Sequence, residues 1–137
     1  MPEPTPAVEL VRCPSLTDQV PYAYASLVGE GRLVFTAGAC PLDEDGEVVT
    51  PGDVTAQAER VVANLRKALA AAGCGLTDVA KSTVYVATQD RADLVAAWDV
   101  VSAAFAEHDV PSTLLGVSVL GYPDQLVEVE AVAVLPS

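Results

Sequence analysis

The last 27 residues, Pro111 to Ser137, constrain the fold more than any other stretch of this chain. They read PSTLLGVSVLGYPDQLVEVEAVAVLPS, two apolar, β-rich runs (Leu114 to Leu120, Leu126 to Val134) on either side of Gly-Tyr-Pro-Asp. This strand, turn, strand pattern predicts a closing hairpin. Side chains of a strand alternate between its faces. Val127, Val129, Ala131 and Ala133 therefore share a wholly apolar face that belongs in a core. Leu126, Glu128, Glu130, Val132 and Val134 share the other face, so two carboxylates stand together among apolar neighbours. Such carboxylates either meet water or line a site.

The chain ahead of this stretch supplies the layers to cover it. Residues 1–19 hold four of the ten prolines and read as an N-terminal arm, in which Val8 to Arg12 can form an edge strand. Tyr22 to Val28 and Arg32 to Cys40 are apolar-rich and separated by Gly-Glu-Gly, which predicts a hairpin. Asp43 to Glu47 lacks the ligand spacing of a calcium loop and reads as a solvated turn. Thr50 caps a first helix, with Pro51 at its first position and Asp53 completing a capping-box-like pattern. Val54, Ala58, Val61, Leu65, Ala68 and Ala72 then form its apolar stripe, and Gly73 stops it. Val79 to Ala87 is a strand. Asp90 caps a second helix with the stripe Leu94, Ala97, Trp98, Val101, Ala104 and Phe105, ending near His108 ahead of Pro111.

The expected order is β-β-α-β-α-β-β, an α+β fold forming one domain over residues 1–137. Two helices of about 18–22 residues cover one face of a single five- or six-stranded sheet. The other face, from Val34, Thr36, Gly38 and Cys40 through Thr83 and Tyr85 to Leu114, Gly116 and Ser118, is too apolar to stay wet. It is expected to meet further copies of the chain.

Composition narrows the function classes. Half the residues are apolar (51%) and 19% are charged, which excludes a disordered chain. No apolar run approaches the roughly 20 residues of a membrane span. The start, MPEPTPAVEL, has no basic region followed by an apolar one. Three cysteines, Cys13, Cys40 and Cys74, have no metal-like spacing, so the expectation is a reduced, cytoplasmic protein without metal or cofactor. A net charge of −12 without a Lys/Arg cluster argues against nucleic acid as a partner.

Taken together, Pro21-Tyr22, Phe35-Thr36-Ala37-Gly38, Gln57 with Asn64, Ala72-Gly73, Val84-Tyr85-Val86 and Val127 to Ala131 resemble the RidA/YjgF family of reactive enamine and imine deaminases. The resemblance spans roughly residues 20–134 and rests on joint order and spacing rather than one motif. It implies a chorismate-mutase-like fold and a homotrimer with its sheets inward. It also implies a small-molecule cleft at each subunit interface, where cofactor-free hydrolysis yields keto acids and ammonia. Carried over, Glu128 is the water-positioning catalytic carboxylate, Tyr22 lines the cleft, and Gly38 turns its backbone to the ligand. Thr113 stands where the family's arginine grips the substrate carboxylate. Ala37 replaces a serine, Trp98 an asparagine, and Leu115 a cysteine.

The chain thus resembles a divergent member that lacks the carboxylate-binding arginine. The expected activity is hydrolysis of a small enamine, imine or related metabolite other than the standard 2-imino acid. The alternative is a trimer that binds a small ligand without chemistry. Substrate contacts are expected at Tyr22, Gly38, Thr113, Trp98 and Leu115, with no charge at Thr113 to meet an anion. Each residue also has a plainer reading. Glu128 can be a solvated strand carboxylate, Tyr22 a strand-end aromatic and Trp98 a core residue. Glu130 is expected in water or paired across subunits. Gln57 and Asn64 serve helix packing, Cys40 and Cys74 fill apolar space, and His108 suits a helix end.

Overall fold

The computed structural model describes residues 6–135. The part of the expected arm before Pro6 lies outside the described residues. The first strands are β1 (Val8–Val11), β2 (Ala25–Val28) and β3 (Arg32–Phe35), followed by helix α1 (Val54–Ala71) and a short 3₁₀ turn at Leu76–Asp78. Strand β4 (Val79–Ala87), helix α2 (Arg91–Phe105), β5 (Ser112–Val117) and β6 (Val127–Leu135) complete the chain.

β6 lies inside a four-stranded sheet of order β3-β6-β4-β5. Its apolar face is buried as the alternation requires: Val127, Val129 and Ala133 are fully enclosed and Ala131 nearly so. Both helices pack on that side, where Ala58, Val61, Leu65 and Leu69 of α1 meet Ala97, Val101 and Phe105 of α2 in one core. The expected α+β class and the two helices on one face are observed.

The predicted hairpins are replaced by longer pairings. β5 runs parallel to β4, and β6 pairs antiparallel with β4 on its other side. The Gly-Tyr-Pro-Asp segment therefore crosses the end of β4 instead of closing a hairpin. β2 likewise pairs with β1, while β3 pairs with β6. The strands thus divide between the sheet and a separate two-stranded ribbon, where the sequence predicts a single sheet. The competing force is burial. β6 has an enclosed apolar face and needs partners on both edges, which two local hairpins could not supply. The ribbon in turn covers the far end of the second sheet face, where Val8 packs on Val134 and Ala80.

Local corrections follow the same logic. Asp53, not Thr50, caps α1, its carboxylate accepting from the Ala56 N–H at 3.0 Å. Thr50 adopts a positive φ of 39° and its carbonyl accepts from the Asp53 N–H at 3.1 Å, closing a turn ahead of the helix. The buried stripe continues through Leu69 and leaves Ala68 and Ala72 exposed. Gly73 does end α1: its N–H bonds Ala70 O and the next N–H bonds Leu69 O, with a φ of +90° that a glycine adopts without strain. α2 begins on Asp90 as predicted but spans 15 residues and stops at Phe105, short of His108. The His108 Nε2 lies 2.7 Å from the Val79 carbonyl, a structural contact.

Candidate functional site

The side chain of Glu128 rises from β6 on the face away from the helices and lies directly over Gly38. A Cβ at Gly38 would stand 2.5 Å from the Glu128 carboxyl carbon, so no larger residue fits beneath this carboxylate. The segment carrying Gly38 is pinned by reciprocal backbone bonds between Ala39 and Val129, at 2.7 and 3.2 Å. Asn64 of α1 holds its continuation, donating to Cys40 O at 2.8 Å and Leu42 O at 2.9 Å. The Cys40 thiol donates to Glu128 Oε1 at 3.2 Å, and Gln125 Nε2 lies 3.4 Å from the same oxygen.

Burial and the neighbouring carboxylate push the Cys40 thiol up to about 11, so it remains a neutral donor near neutral pH. Gln125 is itself buried and bonds Val127 O, while Gln57, fully buried, accepts from the Leu126 N–H at 2.8 Å and donates to Val49 and Asp124 carbonyls. Gln57 and Asn64 therefore satisfy buried backbone groups, as expected, and in doing so hold the frame of Glu128. The ion pairs among the described residues join Arg12 to Asp109 and Arg60 to Glu44. Glu128 is in neither, so its charge is committed to no cation and Oε2 can accept from water.

Glu130, two positions along, has a partner within the chain. The Tyr85 hydroxyl donates to its Oε1 at 2.7 Å, correcting the expectation of water or a second subunit. That bond, with desolvation adding to it, raises the Tyr85 phenol above its ordinary value.

The remaining predicted residues gather elsewhere. Tyr22 stands edge-on to Trp98, ring centroids 6.5 Å apart, and the two line a cavity of about 440 Å³ with Pro21, Ser112, Thr113 and Leu114. Tyr22 is held from behind because the next residue, fully buried Ala23, donates to Asp109 O at 2.7 Å. Trp98 both packs against the core and lines this cavity. Leu115 lines no part of it. It sits 42% exposed, two positions beyond Thr113 on the same face of β5, in register with Tyr85. Gly38 instead borders a different cavity of about 500 Å³, with Cys40, Asn64, Ala68, Ala72 and Tyr122.

The predicted site residues thus fall into two separate groups. Gly38 and Cys40 follow edge strand β3, and Thr113 lies on the opposite edge strand β5, with β6 and β4 between them. Gly38 is thus about three strand spacings, roughly 14 Å, from β5, and Glu128 on β6 about two, roughly 10 Å.

Four contacting residues escape the sequence reading. Cys40, read as apolar filler, bonds Glu128; Gln125 and Tyr85 each bond one of the paired carboxylates. Lys81 corrects the reading of Thr113 as uncharged ground, since its Nζ donates to Thr113 Oγ1 at 2.7 Å. Tyr85 and Lys81 were traceable in principle, being two strand positions either side of Thr83. The Cys40 and Gln125 contacts carry no local signal.

A family model described as endoribonuclease L-PSP matches residues 17–135. The 3-aminoacrylate deaminase RutC of Acinetobacter baylyi is 32% identical over 133 residues, 97% of this chain and 94% of that protein. The 2-iminobutanoate/2-iminopropanoate deaminase of Escherichia coli K12 is 34% identical over 124 residues, 86% of this chain and 94% of its own length. Among solved structures, the Rid-family protein YyfB of Yersinia pestis matches with a TM-score of 0.88 at 30% identity, covering 94% of this chain and 99% of that one.

Proposed function

The chain belongs to the family described as endoribonuclease L-PSP, the RidA/YjgF family, and on that premise we propose that it hydrolyses a small enamine or imine. The observation that carries this reading is Glu128, a carboxylate seated over Gly38, held at Oε1 by the uncharged Cys40 and Gln125 and paired with no cation. Such a group can take a proton from water. An enamine first tautomerises to its imine. Water then adds to the carbon of the protonated imine, forming a C–O bond as the C=N π pair moves to nitrogen and one water proton passes to Glu128, which gives the neutral carbinolamine. Glu128 returns that proton to the nitrogen, the C–N bond breaks as the oxygen lone pair forms C=O, and the hydroxyl proton passes to solvent, leaving a carbonyl compound and ammonia. Water is the co-reactant, and no electrons change hands.

The cleft is completed between subunits of a homotrimer, one chain supplying Glu128 and Gly38, its neighbour Tyr22, Trp98 and Thr113. Leu33 and Phe35 of β3, 51% and 71% exposed, and Leu115 of β5 supply apolar surface for that contact. Thr113 offers no bidentate fork for a carboxylate, so the standard 2-imino acid is a poorer substrate here than for a relative with arginine. RNA cleavage, which the family's description names, fits badly: nineteen Asp and Glu against seven Lys and Arg repel a phosphate backbone.

Two defective variants mixed together test this. Glu128→Gln removes the proton acceptor, and Thr113→Trp fills the other half-site. Ammonia release is followed from imines generated by an amino-acid oxidase, and each variant's assembly is checked by sedimentation. Each homotrimer should be inactive. Mixed and reassembled, about one cleft in four should be intact and turnover should return. Absence of wild-type turnover on every imine tried would leave a binding protein, and turnover without rescue would place the whole cleft in one chain.

A further inference from the structure

We propose that Cys40 and Gln125 are positioning residues that hold Oε1 of Glu128, and so make Oε2 the single oxygen that exchanges protons with water. The proposal rests on the deaminase reading above and deepens it by giving the two oxygens of one carboxylate separate tasks. Oε1 meets the Cys40 thiol at 3.2 Å and the Gln125 amide at 3.4 Å. Oε2 lies over Gly38, where a Cβ would come within 2.6 Å of it, and meets no donor among the described residues.

Each donor is itself aimed by its surroundings. Gln125 is buried, its Oε1 accepts from the Tyr122 N–H at 3.1 Å, and its Nε2 also donates to Val127 O at 3.2 Å. Turning the amide over would set donor against donor, so its NH₂ stays toward Glu128. Cys40 sits where Asn64 holds its carbonyl at 2.8 Å. Its thiol has a second acceptor in reach, Gly38 O at 3.4 Å, but the carboxylate is nearer and, being charged, is the stronger acceptor. The other protic groups on this face are used elsewhere. Tyr85, opposite Glu128 in the register of β4, donates to Glu130, and Lys81, further along that strand, donates to Thr113.

A weak, neutral donor suits this task. A lysine or arginine would fix a carboxylate as firmly, yet lower its proton affinity by about 1–3 pK units. A thiol gives direction at smaller cost in basicity. Burial and the adjacent carboxylate push this thiol up to about 11, so it keeps its proton wherever the carboxylate works.

Cys40→Ala and Cys40→Ser separate the donor from its bulk, since the two side chains are of nearly equal size and only serine donates. Thermal melts check that both fold. The first measurement follows the Glu128 carboxyl carbon by NMR against pH, with isotope-labelled glutamate and no substrate, the signal being assigned by its loss in Glu128→Gln. Taking a donor from the charged form should move that titration to higher pH in Cys40→Ala, by about half a unit to one unit, and Cys40→Ser should reverse most of the shift. The second is the pH profile of ammonia release. Its acid limb should move the same way, with kcat about tenfold lower in Cys40→Ala, KM nearly unchanged, and most of kcat recovered in Cys40→Ser. A carboxyl titration unchanged in Cys40→Ala would overturn the proposal. So would equal losses of kcat in the two variants, which would make bulk the cause. Absence of ammonia release from the wild type counts against the deaminase reading alone, because the carboxyl titration needs no substrate and still decides what Cys40 does to Glu128.

Discussion

The two groups of predicted site residues are built in opposite ways. Around Glu128 the contacts interlock: half-buried Gly38 lies beneath it, half-buried Cys40 and buried Gln125 meet one oxygen, and buried Gln57 and half-buried Asn64 hold the backbone behind them. Around Thr113 the walls are an aromatic pair, an exposed edge strand and a lysine reaching across from β4. In the first group the Gln57 and Asn64 amides also hold backbone carbonyls and an N–H, so exchanging either disturbs the chain around it. The second can exchange side chains at little structural cost. The difference separates the group proposed to move a proton, which must be held to within about half an ångström, from the groups proposed to select a ligand. Of the four positions expected to depart from the resembled family, three (Thr113, Trp98 and Leu115) lie on β5 and α2, in or beside the second group.

The comparison breaks most visibly at Gly38. Gly38→Ala places a methyl group 2.5 Å from the Glu128 carboxyl carbon and must push the carboxylate aside. A displacement of that order should lower turnover about a hundredfold while the sheet stays intact, since Gly38 lies outside the named strands. Steady-state ammonia release beside a circular-dichroism spectrum measures it. Full activity in Gly38→Ala would show that the Glu128 half is not rigid.

A smaller effect is expected at Thr113, where tolerance is the prediction. Thr113→Arg should fold normally and raise turnover of 2-iminopropanoate less than tenfold, leaving it below the Escherichia coli relative. The new guanidinium would lie beside the Lys81 ammonium, which now sits 2.7 Å from the hydroxyl being replaced, and like charges oppose each other there. Semicarbazide competition for the imine gives the rates. Parity with the relative would mean that one missing charge was the whole difference.

The smallest effect concerns Cys40 and pH. Its thiol titrates near 9.0 when unfolded and near 11 in the folded chain, so the native state holds the proton longer. The unfolded state then binds fewer protons between those values, and stability falls as pH rises from about 9 to 11. The contribution is fully present below pH 9. Cys40→Ser, whose hydroxyl does not titrate there, should lose less melting temperature over the same interval. Identical slopes for the two proteins would remove the thiol from the network around Glu128.

Much of this was legible in sequence wherever a local pattern met a local need. The alternation of Val127 to Ala133 predicts the buried face, Asp90 and Gly73 mark helix ends, and Gln57 and Asn64 fall on α1 where their amides satisfy backbone groups. Resemblance singled out Glu128 and Gly38, and the structure brings them into contact. The partner of Glu130, the thiol on Glu128 and the charge beside Thr113 were not legible. Each depends on residues separated by 45, 88 and 32 positions meeting across strands.

The sequence by itself determined the order of the helices and strands and which face of β6 is apolar. Those choices follow from side-chain periodicity and from capping within a few residues. Tertiary structure alone decided which strand lies beside which. The short links at Gly29 to Gly31 and Gly121 to Asp124 look like hairpin turns, but burying both edges of β6 outweighs local closure. That same decision placed Gly38 and Thr113 toward opposite edges of one sheet.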